Sequence, residues 1–283
     1  MQTGRIAESH RMDREKDTWK QLRTVYEKRA EQYQSYSQRD RSAREHDSKF
    51  RGVVGEFDFH PSGRFLEVGC GDGPYIEYLC RTSSDARCII GMDLSLTNLE
   101  TARRWTRATG RGGWRVQFVV ADAEALPFRM GTFQDILCTQ VIEHLLDDLQ
   151  ALHEMNRVLI ASGTLLLTTD NKRAYVSRVL NCPRDVIVSL LGLSRFGPEK
   201  LSFPHKQYEK EALLDLLRKA HFQLERVITF RFHWNYPFYR IRWLSAPLEL
   251  LERCFRRLGV FRDYGDIILA RCKKSGDSEG RDP

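Results

Sequence analysis

The sequence predicts an α/β fold, a mostly parallel sheet whose strands alternate with helices. Three observations lead there. From Arg64 onward, apolar stretches of strand length alternate with amphipathic stretches of helix length. The first such stretch runs into a glycine-rich turn, Phe65-Leu-Glu-Val-Gly-Cys-Gly-Asp-Gly73. The next two end in acidic residues, Asp93 and Asp122. Strand–helix repetition places helices on both faces of a parallel sheet, and ligands of such sheets bind beyond the carboxyl ends of the strands.

Taken in order, Met1 to about Asp17 is charged and expected to be loosely ordered. Trp19 to about Tyr36 reads as an amphipathic helix, with Trp19, Leu22, Tyr26 and Tyr33 near helical spacing, and the charge-rich Arg39–Lys49 could continue it. Strands are expected near 64–68, 88–93, 116–120, 134–139 and 163–169, with helices near 73–82, 96–109 and 148–159. After a stretch that breaks the alternation, about 171–204, a helix is expected at Lys210–Ala220 and two last strands near 222–232 and 264–272. The implied organisation is a charged N-terminal segment with a lead-in helix (1–50), one domain (51–274) and a disordered tail (275–283).

Composition narrows the function classes. The 283 residues carry 45 basic and 38 acidic side chains, a net charge of +7, which permits an anionic partner without demanding one. Seven scattered cysteines form no CxxC pair and no Cys/His metal spacing, and fit reduced thiols of a cytoplasmic protein better than a disulfide framework. The N-terminus lacks the apolar core of a signal peptide, and no apolar run is long enough to span a bilayer.

The glycine turn and the two acids suggest a ligand site. Glycines let the backbone turn tightly and approach a ligand closely, and the helix that follows offers unpaired N–H groups. Glu67, just before the first glycine, would repel a pyrophosphate and suits a ligand with positive charge, free hydroxyls or an amine. Asp93 stands about 20 residues further on, where a doubly wound fold uses an acid to take ribose hydroxyls. Two readings of it remain open, since Asp93 or Ser95 could also cap the next helix. Asp122 could likewise belong to an ordinary polar turn before Pro127.

These motifs resemble those of the class I S-adenosylmethionine (SAM) methyltransferases, of a Rossmann-like, seven-stranded sheet. Asp135-Ile-Leu-Cys-Thr-Gln-Val-Ile-Glu-His-Leu-Leu-Asp147 is similar to the segment after strand four in small-molecule members, the ubiquinone-biosynthesis O-methyltransferases above all. The likeness spans about Tyr26 to Phe222. It implies SAM as cofactor, with Glu67, Gly69, Cys70 and Gly71 near its methionine end, Asp93 and Leu94 at the ribose, Asp122 and Ala123 at the adenine, and Gln140 below the sulfonium. It also implies an antiparallel closing strand pair. Tyr26-Glu-Lys-Arg-Ala30 with Tyr33 resembles a lead-in segment that forms part of a lid over the cofactor, although simple packing on the domain fits the pattern equally.

Methyl transfer from a sulfonium needs alignment and a deprotonated nucleophile. His144 is the natural base, Glu143 could orient it or face the substrate, and His205 could approach the same pocket from the insertion side. Glu143-His144 could equally serve only to fix the loop. No tight metal site is expected, because neutral Gln140 stands where related enzymes place an acidic ligand. The sequence lacks the Asn/Asp-Pro-Pro-aromatic motif of amino-methylating nucleic-acid enzymes, the strand-end cysteine of carbon-5 RNA methylation and the double-glutamate loop of arginine methylation. A small-molecule or lipid-linked acceptor is the remaining expectation, and the resemblance implies methylation at oxygen. Methylation at N or C, and a scaffold that binds SAM without turnover, are the alternatives. The insertion and the aromatic-basic stretch Arg231–Trp243, with Arg178, Arg184, Arg240 and Arg242, would cap the substrate pocket, form a dimer contact or touch lipid headgroups.

Overall fold

The computed structural model describes residues 20–31, 48–56, 63–82, 88–108, 115–174, 205–230, 263 and 265–275. Residues 20–31 are helical (α1), followed by α2, Ser48–Val54. The sheet then begins with β1, Arg64–Val68, and continues through β2, Cys88–Asp93; β3, Arg115–Val120; β4, Phe133–Thr139; β5, Leu159–Asp170; β6, Phe222–Phe230; and β7, Ile267–Lys274. Between them lie α3, Pro74–Thr82; α4, Leu96–Ala108; α5, Asp148–Val158; and α6, Lys210–Lys219. The seven strands are ordered β3-β2-β1-β4-β5-β7-β6, parallel except for β7, which runs antiparallel to both neighbours. The expected seven-stranded, mostly parallel sheet with an antiparallel closing pair is what the chain forms.

Two cores hold it. One face of the sheet packs Leu66, Ile136 and Leu165 with Leu152, Met155 and Leu213 of α5 and α6. The other packs Phe65, Ile89 and Leu137 with Ile76 and Leu79 of α3 and Phe50 and Val53 of α2. β1 lies between β2 and β4, where the strand order reverses, so the turn after β1 opens onto the crevice at the switch point.

Two boundaries differ from the sequence reading. β5 starts at Leu159 rather than near 163, and passes through Ser162 at φ 62 with a register shift against β4. Ser162 and Gly163 thus form an irregularity within the strand. β7 starts at Ile267, not 264, because Gly265 is held against β6, its N–H donating to Thr229 Oγ1. The stretches 175–204 and 231–243, the N-terminal 1–19, Tyr33 and Tyr36, residues 39–47 and the tail from 276 lie outside the described residues, so the expectations placed on them stand untested. Among the described residues, no helix is long and apolar enough to cross a membrane.

Candidate functional site

The turn after β1 is shaped by three glycines in left-handed conformation, Gly69 at φ 66, Gly71 at φ 54 and Gly73 at φ 77, of which the first two border the cavity. These two differ in what surrounds them. A Cβ on Gly69 would overlap the Val141 Cγ2 methyl, whereas one on Gly71 would meet nothing within 4 Å. Gly69 is therefore needed for packing, and Gly71 leaves space open on the cavity side. Cys70 N–H donates to the Met92 carbonyl at 2.8 Å and Gly71 N–H donates to Asp93 Oδ2 at 2.9 Å, which tie the turn to the end of β2.

Asp93 is 9% exposed and lines the cavity. Its Oδ1 accepts from Ser95 N–H at 2.9 Å and Asn98 Nδ2 at 3.3 Å. The helix-capping alternative resolves onto Ser95, whose Oγ accepts the Asn98 N–H at 3.1 Å. Three N–H donors already engage Asp93, so about one of the roughly four acceptor positions of a carboxylate is left for a ligand hydroxyl. Burial raises the Asp93 pKa despite the bonds from Ser95, Gly71 and Asn98.

The remaining expected cofactor residues divide into two groups. Leu94, Ala123 and Gln140 join Gly69, Gly71 and Asp93 on the cavity wall. Glu67, Cys70 and Asp122 stand behind it. Glu67 is 1% exposed, and burial, with the charges of Asp93 and Asp72 adding to it, holds its pKa well above the ordinary glutamate value. It is a buried acid beneath the turn that accepts the Ile76 N–H, and it is not among the residues of the cavity wall. Cys70 points into the core beside α3, and Asp122 Oδ1 is occupied by the Glu124 N–H at 2.9 Å. Below them the stretch Leu126–Phe128 is clamped: Arg157 donates to both carbonyls at 3.0 and 2.8 Å while Glu154 accepts the Leu126 N–H at 2.8 Å.

The cavity is also lined by Glu143, His144 and His205. A 3-10 turn, Ile142–His144, follows β4 and carries the first two. Glu143 is 1% exposed; Oε2 accepts from Thr169 Oγ1 at 2.9 Å, and Oε1 has no hydrogen-bond partner among the described residues. Burial raises its pKa from 4.5 to about 7, with the Thr169 bond and Lys49 opposing and Asp170 adding. The rings of His144 and His205 lie 5.1 Å apart. His205 Nε2 is 3.0 Å from Asp170 Oδ2, a pairing that leaves Nδ1 as the acceptor nitrogen of the neutral ring. The structure thus brings the three expected residues to one place, joined by Thr169 and Asp170, which the sequence reading does not pair with them.

Arg29, Lys49, Asp72 and Asn98 also line the wall, and the sequence reading assigns none of them a contact of its own with the ligand. Tyr26 lines it too, where the sequence suggests only a lid-like or packing segment. Burial pushes the Tyr26 pKa up to about 12, with Arg29 opposing, so it is a neutral phenol at physiological pH. Gln140 adopts φ 55, and its Nε2 is buried without a partner among the described residues.

Comparison with known proteins agrees with this geometry. Residues 66–167 match the family model described as Methyltransferase domain. The chain is 36% identical over 108 residues to a malonyl-(acyl-carrier protein) O-methyltransferase of Legionella pneumophila, covering 38% of this chain and 36% of that one. It is 27% identical over 180 residues to a ubiquinone biosynthesis O-methyltransferase of Ruegeria pomeroyi, covering 60% and 66%. The chain spans between 32% and 66% of the length of the curated relatives it matches. A solved SAM-dependent methyltransferase of Thermotoga maritima superposes with a TM-score of 0.56 at 20% identity, covering 89% of this chain and 99% of that one. The fold is the Rossmann-like fold of SAM-dependent methyltransferases. It also matches the cyclase SpnF, TM-score 0.55 at 20% identity, covering 80% and 79%, so the reaction has to be argued from the site.

Proposed function

We propose that the chain is a SAM-dependent methyltransferase acting on a small or lipid-linked acceptor, at oxygen. One observation carries this reading. A single cavity of about 520 Å³ is lined by the glycine turn, Asp93 and Ala123 together with Glu143, His144 and His205. That volume lies within the usual range for small-molecule sites, about 300–1,000 Å³.

The residues fit the cofactor. Gly71 leaves room for close backbone approach, Asp93 keeps an acceptor position for the ribose, and the Ala123 backbone borders the adenine space. The buried, unpartnered Gln140 Nε2 offers a donor on the same wall. Bound there, SAM supplies a methyl group whose sulfonium leaving group needs no protein acid.

What the chain has left to do is align the acceptor and take its proton. Glu143 Oε1, held in place through Thr169, and the His144–His205 pair are the available bases. A carboxyl with a pKa of about 7 is well matched to that role near neutral pH. Asp170 fixes His205 so that an acceptor nitrogen remains. The relatives' names cover methylation at oxygen and at carbon, and the presence of these bases favours an acidic O–H. Among the described residues no group of three or more His, Cys, Asp or Glu could hold a metal ion.

Incubation with radiolabelled SAM and separate pools of phenols, carboxylic acids, amines and quinol lipids tests it. Label should pass to an oxygen acceptor, and Glu143→Gln should lower turnover by about 100-fold or more at unchanged SAM affinity. Transfer only to amine nitrogen or to carbon, or full turnover by Glu143→Gln, would contradict the assignment.

A further inference from the structure

One carboxylate of the lead-in helix α1, that of Glu27, is bound to the start of α4. Glu27 accepts three hydrogen bonds from the start of α4: Ser95 Oγ at 2.8 Å, Leu96 N–H at 2.6 Å and Thr97 N–H at 3.2 Å. These partners lie 68–70 residues away in sequence. A negative charge at this place meets the unpaired N–H groups and the positive end of the helix dipole. Burial pulls the Glu27 pKa upward, yet the bonds from Ser95, Leu96 and Thr97 outweigh it and leave the group below the ordinary glutamate value. Glu27 is therefore an anion bound by its own chain.

The bonds continue into the cavity wall. Ser95 N–H donates to Asp93 Oδ1, and Asp93 Oδ2 accepts from Gly71 N–H. A linked path runs from Glu27 through Ser95 and Asp93 to the glycine turn. On the same side of α1, Tyr26, Arg29 and Ala30 border the cavity, at the i, i+3 and i+4 spacing of one helix face. The cavity is thus bordered both by α1 and by Asp93, which accepts from the Ser95 that is itself bound to Glu27.

We propose that Glu27 is a positioning residue, a latch that docks α1 over the cavity and couples that docking to ligand retention. The coupling rests on the cofactor reading above; the docking does not. When Glu27 is bound, Tyr26 and Arg29 close one side of the space between Asp93 and Glu143. Release of its three bonds opens that side, so the ligand leaves through the gap.

The test uses the full chain, as wild type, Glu27→Gln and Glu27→Lys, with Glu31→Gln as a control on an exposed position of the same helix. Gln keeps an acceptor oxygen without the charge, and Lys reverses it. Hydrogen exchange of the unliganded proteins reads the docking, with β1 and β4 amides reporting an intact fold. Exchange in 20–31 should rise about tenfold in Glu27→Gln and further in Glu27→Lys. S-adenosylhomocysteine (SAH) is the probe for coupling: its dissociation should quicken by about tenfold in Glu27→Gln, with Glu31→Gln like wild type. Unchanged exchange in both Glu27 variants overturns the latch. Faster exchange with unchanged SAH dissociation overturns the coupling. Absence of SAH binding by wild type overturns the cofactor reading and the coupling with it, while the exchange comparison still decides the docking.

Discussion

Replacing Glu143 by Gln should make the protein more stable at alkaline pH and remove part of its pH dependence. Glu143 is 1% exposed, and its burial raises the pKa from 4.5 to about 7. The folded state thus binds a proton that the unfolded chain has already released over this interval. Stability contributed by the neutral acid is complete below 4.5 and is lost as pH rises through about 7. The interval, at about 1.4 kcal/mol per pH unit, amounts to roughly 3 kcal/mol. The carboxamide introduced by Glu143→Gln would be a permanent mimic of the neutral acid, and its oxygen can still accept from Thr169 Oγ1.

Urea unfolding of both proteins at about pH 5 and about pH 8 isolates this group, since other titrating residues cancel in the difference. The stability gap in favour of Glu143→Gln should widen by roughly 2 kcal/mol between the two conditions. Parallel pH profiles would mean that Glu143 ionises normally and is not desolvated by the fold. The choice of base made above would then lose its electrostatic support.

The two cavity-lining glycines of the turn should separate packing from binding. Gly69→Ala should lower stability by about 2 kcal/mol or more, through its overlap with Val141 and its left-handed φ, seen as a reduced urea midpoint. Gly71→Ala should lower stability by only about 1 kcal/mol yet weaken SAH binding at least tenfold by calorimetry, since its new methyl enters open cavity space. Arg157→Ala should free the Leu126 and Phe128 carbonyls and cost about 1–3 kcal/mol in thermal or urea unfolding.

Much of the fold was legible because its signals are local. Apolar runs ending in Gly69, Asp93, Asp122 and Gln140 set strand ends, and these converge on one edge of any parallel sheet. The clustering of Glu143, His144 and His205 was anticipated only as a possibility from resemblance; the Thr169 and Asp170 partners come from the neighbouring strand β5 and depend on register. Glu67 shows what residue type alone leaves out: near the carboxyl end of central strand β1 its side chain is buried, and burial raises its pKa. Glu27 gave no signal of its own, since its three partners meet it only after α1 docks. The start of β7 shifted because Gly265 packs on the backbone of Phe230, a contact no periodicity encodes.

Calorimetric titration of the wild-type chain and Asp93→Ala with SAM and SAH should come first, with urea unfolding to show that both are folded. Micromolar binding of both ligands by wild type, abolished by Asp93→Ala, is the expected result. A folded wild-type protein that binds neither ligand would contradict the assignment of the cavity to SAM, and the methyltransferase reading with it.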